Sequence, residues 1–264
     1  MQGVSIILRK TVASLAMLSI VFSTMGGMPA VAAAVTVDPT NPVLSGACGI
    51  DVALVLDSSG SIDASELAQM KSAFHGFVNS LLPATPTQFS VVDFDDRAHV
   101  LQGFTASSTL VNDAVDAPSS GGRTNWQDAL VKAQSTFDPR AGHENLIIFA
   151  SDGNPNRTGN PGSSVSESAA VAAAVTVADS IKSGGTRILA VGIGNNLDVN
   201  NLKAISGNNV DTGSTSDVVT TNFATLAADL AAIAQAECGG TITATKIIDR
   251  DGNLETTNDQ SPAE

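Results

Sequence analysis

Five oxygen-bearing side chains in three short stretches have the chemistry to hold a metal ion. Asp57, Ser59 and Ser61 form an Asp-x-Ser-x-Ser loop, Thr124 follows a Gly-Gly-Arg turn, and Asp152 stands directly before Gly153. None of the five offers nitrogen or sulfur, so the set suits Mg2+, Ca2+ or Mn2+ and not zinc or copper. Hydroxyls carry no formal charge, and a cation held largely by Ser, Thr and water stays electrophilic. Such a cation can accept a carboxylate from a partner without a catalytic base. A plainer reading exists for each stretch. Ser59, Ser61 and Asp63 could cap one helix, Thr124 and Asn125 another, and Asp152-Gly153 could be a strand-end turn. Capping explains each piece singly but not why all three should stand at one edge of a sheet.

The elements around these residues place them at such an edge. Ile50–Leu56 is a near-continuous apolar run, as in a strand buried on both faces, and it stops at Asp57. Asp63 and Glu66 have capping-box spacing, and Leu67, Met70, Phe74, Phe77, Val78 and Leu81 recur at helical intervals until Pro83 and Pro86. Strands are predicted over 88–94 and 99–104, joined by a turn at Asp95-Asp96-Arg97, and then over 145–150 and 187–193. Helices are predicted over 107–116, 126–137, 165–182, 199–205 and from Phe223 to Cys238. This alternation calls for an α/β fold, doubly wound, with a mostly parallel central sheet, one antiparallel edge strand and helices on both faces. In such sheets ligands sit beyond the carboxyl ends of the strands, where Asp57 and Asp152 lie.

Three motifs in this order resemble the metal-ion-dependent adhesion site of the von Willebrand factor A domain family: Asp57-Ser-Ser-Gly-Ser61, Gly121-Gly-Arg-Thr-Asn125 and Ser151-Asp-Gly. Val91-Val-Asp-Phe94 and Leu189-Ala-Val-Gly-Ile193 also look like internal strands of that family, and the likeness covers about Ile50 to Ala236. The resemblance implies that Ser59, Ser61 and Thr124 contact the metal directly, that Asp57 and Asp152 act directly or through water, and that Mg2+ is the usual ion. Arg123, between the Gly pair and Thr124, departs from the commonest Gly-Gly-Thr wording.

Other chemistries find little support. Lys+Arg number 13 against 26 Asp+Glu, a formal net charge of −13, which opposes binding to nucleic acid or anionic lipid. The three histidines, His75, His99 and His143, sit within or beside predicted elements, with no nucleophile elbow, zinc-protease motif or phosphate loop. Asp93, Asp95 and Asp96 read as an acidic turn between two strands rather than a phosphatase-like cluster. The expectation is a binding module, not an enzyme.

The chain ends point to export. Arg9 and Lys10 precede an apolar run from Val12 to Phe22 and small-x-small sites at Ala30-Val-Ala32 and Ala32-Ala-Ala34, so residues 1–34 read as a secretory signal peptide, with no membrane insertion after cleavage. Residues 35–47 read as a Pro-punctuated linker, 48–238 as the domain, and 239–264 as a tail. In an exported chain two cysteines bracketing a domain favour a Cys48–Cys238 disulfide, the alternative being two buried thiols. The stretch 241–248 is similar to the opening strand of Ig-like modules of bacterial surface proteins, with Lys246 at the isopeptide position; an unstructured acidic tail is the other reading. Asp249–Asn253 lacks calcium-loop spacing, its Gly falling fourth instead of sixth. Together these features predict a secreted or cell-surface module that captures an acidic group of a protein or matrix ligand through a bound cation. The alternative is a structural component of a pilus or surface assembly without metal-dependent capture.

Overall fold

Strand β1 (Asp51–Asp57) is buried from end to end and lies near the middle of the sheet. The computed structural model describes residues 39–44, 49–138 and 140–238. The expected signal segment, Cys48 and the 239–264 tail lie outside the described residues, and so does the side chain of Cys238. The remaining strands of the main sheet are β2 (Gln88–Phe94), β3 (Ala98–Thr105), β4 (Asn145–Ser151), β7 (Arg187–Ile193) and β8 (Val218–Thr221). They stand in the order β3-β2-β1-β4-β7-β8. Only β3 is antiparallel; it is an edge strand, and its pairing with β2 is interrupted by register shifts. Leu54 stands opposite Val91 on one side and Ile148 on the other.

Side-chain alternation divides the core into two layers, because successive strand residues face opposite sides of the sheet. Val52, Leu54 and Leu56 of β1, with Leu146, Ile148 and Ala150 of β4, pack with α1 (Ala64–Leu81), α2 (Ser108–Asp116) and α6 (Leu226–Cys238). Ala53, Val55, Ile147 and Phe149 pack against α3 (Trp126–Thr136), α4 (Glu167–Ser183) and α5 (Val199–Ile205). Ala170, Ala174 and Ala178 form the buried stripe of α4, spaced four apart, so this helix reaches the sheet with minimal side-chain bulk. The predicted α/β doubly wound architecture is the one observed.

Helix α1 begins as its sequence dictates. Asp63 accepts from the Ser65 and Glu66 amides, and the Glu66 side chain accepts from the Asp63 amide, closing a capping box. No helix among the described residues is long and apolar enough to cross a membrane.

Three local features were not in the sequence reading. β8 adds a sixth strand at the far edge. A two-stranded hairpin, β5 (Arg157–Thr158) and β6 (Ser163–Ser164), occupies the loop after β4. Part of the expected linker is also fixed to the domain. Asn41 accepts from the Ile188 amide at 2.9 Å and donates to Ile188 O and Asp217 Oδ1, both at 2.8 Å, while Arg187 donates to Pro42 O at 2.7 Å.

The chain leaves β1 toward β2 on one side and leaves β4 toward β7 on the other. The switch point therefore falls between β1 and β4, and the crevice opens at their carboxyl ends.

Candidate metal centre

Asp57 ends β1 with no exposed surface, and Asp152, 6% exposed, follows β4 directly. The two carboxylates thus flank the switch point. The intervening loop is short and polar because β1 must turn outward before α1 can start. Within it the Ser59 amide donates to Asp57 Oδ1 at 2.8 Å, the Ser59 and Ser61 hydroxyls lie 3.1 Å apart, and Ser61 Oγ donates to Asp152 Oδ1 at 2.9 Å. Four of the five predicted residues are joined in one hydrogen-bonded chain.

Thr124 arrives on a second loop. The Gly121 amide donates to Ser58 O at 2.9 Å, the Gly60 amide to Gly122 O at 3.4 Å, and Ser120 Oγ to Ile62 O at 2.5 Å, so the two loops lie against each other. Gly122 has φ +67°, and a Cβ there would stand 2.8 Å from Asp95 Oδ2. Only glycine meets both demands without strain. Thr124 itself is held by its backbone: its amide donates to Asn156 Oδ1 at 3.4 Å, and its carbonyl accepts from the amides of Asn156 and Arg157 at 2.9 and 3.1 Å. Asn125, next in line, caps α3 through Oδ1. Its Nδ2 donates to Asp96 O and Gly159 O at 2.9 and 2.8 Å, seating the β5–β6 hairpin beside the site. The capping reading is thus right for Asp63 and Asn125, while the Ser59 hydroxyl meets that of Ser61 and Ser61 Oγ reaches the Asp152 carboxylate instead.

Burial dominates the electrostatics. Loss of solvent pushes the Asp57 carboxyl up to about 7, against the lowering effect of hydrogen bonds from Ser151 and Ser59, and the Asp152 charge adds to the rise. Asp152 is raised by burial too, with Ser61 opposing and the Glu66 charge assisting. Two carboxylates whose ionised forms are disfavoured, beside hydroxyls that cannot neutralise them, fit a hard cation. No group of three or more His, Cys, Asp or Glu residues with metal-binding placement occurs among the described residues. A centre built from hydroxyls and only two carboxylates has no need of one.

The remaining candidates fall elsewhere. Asp95 and Arg97 close the expected turn, and Asp96 pairs with Arg157 at 3.1 Å. Asp93 is raised mainly by burial and lies 3.5 Å from His99. His75 faces Asn112 O and Asp116, and His143 contacts Gly49 O. Arg123 is exposed.

Sequence reading assigned no role to Ser151, Trp126 or Asn156. Ser151 Oγ donates to Asp57 Oδ2 at 2.5 Å and accepts from Trp126 Nε1 at 3.2 Å. The available signals were slight: a polar residue at the end of a buried strand, and a lone tryptophan two places after Thr124.

The fold and site together define an α/β module with a crevice at its switch point lined by the oxygens of Asp57, Ser59, Ser61 and Asp152. The von Willebrand factor type A domain matches residues 51–231, and the chain belongs to that family. No curated protein matches it. Among solved structures, proximal thread matrix protein 1 from the mussel byssus, in a form with a zinc-occupied MIDAS motif, is 26% identical with a TM-score of 0.59. That alignment covers 74% of this chain and 47% of the mussel protein, so the chain spans about half the length of that relative. The vWF domain of the type V pili tip protein Mfa5 from Porphyromonas gingivalis is 18% identical, with a TM-score of 0.59 over 72% of this chain and 95% of that one. A variant of the PilB minor pilin from Streptococcus sanguinis is 14% identical, with a TM-score of 0.59 over 74% and 63%. These last two share the fold.

Proposed function

We propose that the chain is an exported adhesion module that uses a divalent cation to capture an acidic group on a protein or matrix ligand. The observation that carries this reading is the hydrogen-bonded set of Ser59, Ser61 and Asp152 beside buried Asp57 at the switch point. Ser59, Ser61 and Thr124 would hold the ion through hydroxyls, with Asp57 and Asp152 contributing charge. Bound there, the cation supplies a Lewis-acidic position for a ligand carboxylate. The protein's own part is to fix the hydroxyls and to hide the two carboxylates from water. Mg2+ is the ion of this reading. The zinc-occupied motif of the mussel relative makes zinc the competitor to titrate against it.

Export through residues 1–34, a Cys48–Cys238 disulfide and binding without catalysis belong to the same proposal. The test is Asp152→Ala. Mg2+ uptake by calorimetry and capture of a carboxylate-bearing ligand should both be lost while the circular dichroism spectrum stays that of the folded chain. Capture that survives both this change and chelator would sink the reading. A second reading, a structural part of a surface assembly, draws support from the mussel relative being a thread matrix protein. It predicts assembly indifferent to chelator.

A further inference from the structure

The indole of Trp126 has no exposed surface, and a buried indole N–H needs an acceptor. It finds Ser151 Oγ at 3.2 Å. That hydroxyl has a single proton, and its two acceptors are Asp57 Oδ2 at 2.5 Å and Gly153 O at 3.0 Å. An ionised carboxylate at the shorter distance takes it. Asp57 Oδ1 is meanwhile engaged by the Ser59 amide. Each oxygen of this carboxylate is therefore tied to a different part of the site: one to the Ser59–Ser61 loop, the other through β4 to the first residue of α3, two places after Thr124.

The ring at the far end is itself fixed. Trp126 meets Phe149 edge-on at 5.4 Å, and Phe149 stacks on Phe94 at 5.3 Å. The indole cannot swing away without disturbing the layer of core beneath the sheet. Trp126 is also the chain's only tryptophan, and the chain has no tyrosine.

We propose that Ser151 and Trp126 are positioning residues for the Asp57 carboxylate, coupling it to the Thr124 loop, and that the tryptophan reports cation binding through this two-bond relay. The proposal rests on the metal-site reading above. A cation placed beside Asp57 would act two hydrogen bonds from the indole N–H, and indole emission responds to the field at that nitrogen. The relay orients a carboxylate that is already part of the site, the role outer hydrogen-bond partners play in metal centres generally.

The experiment is a Mg2+ titration of the full chain, followed in parallel by calorimetry and by tryptophan emission. It is repeated on Ser151→Ala, Ser151→Thr and Trp126→Phe, with circular dichroism confirming the fold. In the wild-type chain the two signals should saturate with one midpoint. Ser151→Ala should weaken Mg2+ affinity by about tenfold or more and abolish the emission change, and Ser151→Thr, which restores the hydroxyl, should recover both. Trp126→Phe keeps an aromatic ring and removes only the donor, so it decides the matter if Ser151→Ala does not fold; its calorimetric affinity should fall severalfold. Wild-type affinity in folded Ser151→Ala or in Trp126→Phe would overturn the positioning role while leaving the metal site standing. A wild-type chain with no calorimetric Mg2+ binding would overturn both.

Discussion

Lowering the pH from 8 to 6 sets a proton against a cation for the Asp57 carboxylate. With that carboxyl at about 7, roughly nine-tenths of it is ionised at pH 8 and roughly one-tenth at pH 6. A cation that needs the ionised form should bind about tenfold more weakly at the lower pH, or about 1.4 kcal/mol. Asp152, also raised by burial, pulls in the same direction. At pH 7, binding should release about half a proton from Asp57. Calorimetry in two buffers of different ionisation enthalpy measures that release directly, and Asp57→Asn, though weaker in binding, should lose most of the pH dependence. Linkage gives a second signature in the cation-free protein. Because the folded carboxyl sits above its unfolded value, its stabilising contribution is fully present below pH ~4 and is lost as pH rises through about 7. Added Mg2+ should therefore raise thermal stability more at pH 8 than at pH 6. An affinity constant across this range, with no proton release, would refute the argument that burial holds Asp57 partly neutral.

Other perturbations test the scaffold. Gly122→Ala should destabilise the chain by about 1–3 kcal/mol in denaturant melts, since alanine is strained at φ +67° and meets the Asp95 carboxylate; adding Asp95→Ala should recover the steric share and leave the backbone share. Asn41→Ala, which removes three hydrogen bonds to Ile188 and Asp217, should cost about 1–3 kcal/mol and speed proteolytic cleavage within residues 39–44. Peptide mapping of exported protein without reductant should join Cys48 to Cys238, and recovery of both as free thiols would exclude the disulfide.

Much of the fold was legible because burial leaves a plain signature in sequence. Ile50–Leu56 reads as a central strand since both of its faces are covered, and the Asp63–Glu66 pair marks the start of α1 by local chemistry alone. β8 was not legible: Val218–Thr221 is four residues long, and its identity as a strand comes from pairing with β7. The β5–β6 hairpin has only two residues per strand and is set by contacts of Arg157 with Asp96 and of Gly159 with Asn125 and Gln127. The 35–47 stretch looked like a linker because prolines punctuate it, whereas Asn41 acts on partners 147 and 176 residues away. The site divides the same way. The residues proposed to face the ion form a motif that spacing reveals, while Ser151, Trp126 and Asn156 acquire their roles only when β4, α3 and the loop after β4 are brought together.

The Asn41 anchorage has a mechanical consequence. Ile188 is the second residue of β7 and Asp217 precedes β8, so this attachment sits at the end of the sheet opposite Asp57 and Asp152. A strand of seven residues separates the two ends by about 20 Å. On the proposed function, a pull between a ligand at one end and the chain entering at the other would run along the strand axes. It would load the rows of inter-strand hydrogen bonds together, in shear, rather than peeling them open one at a time.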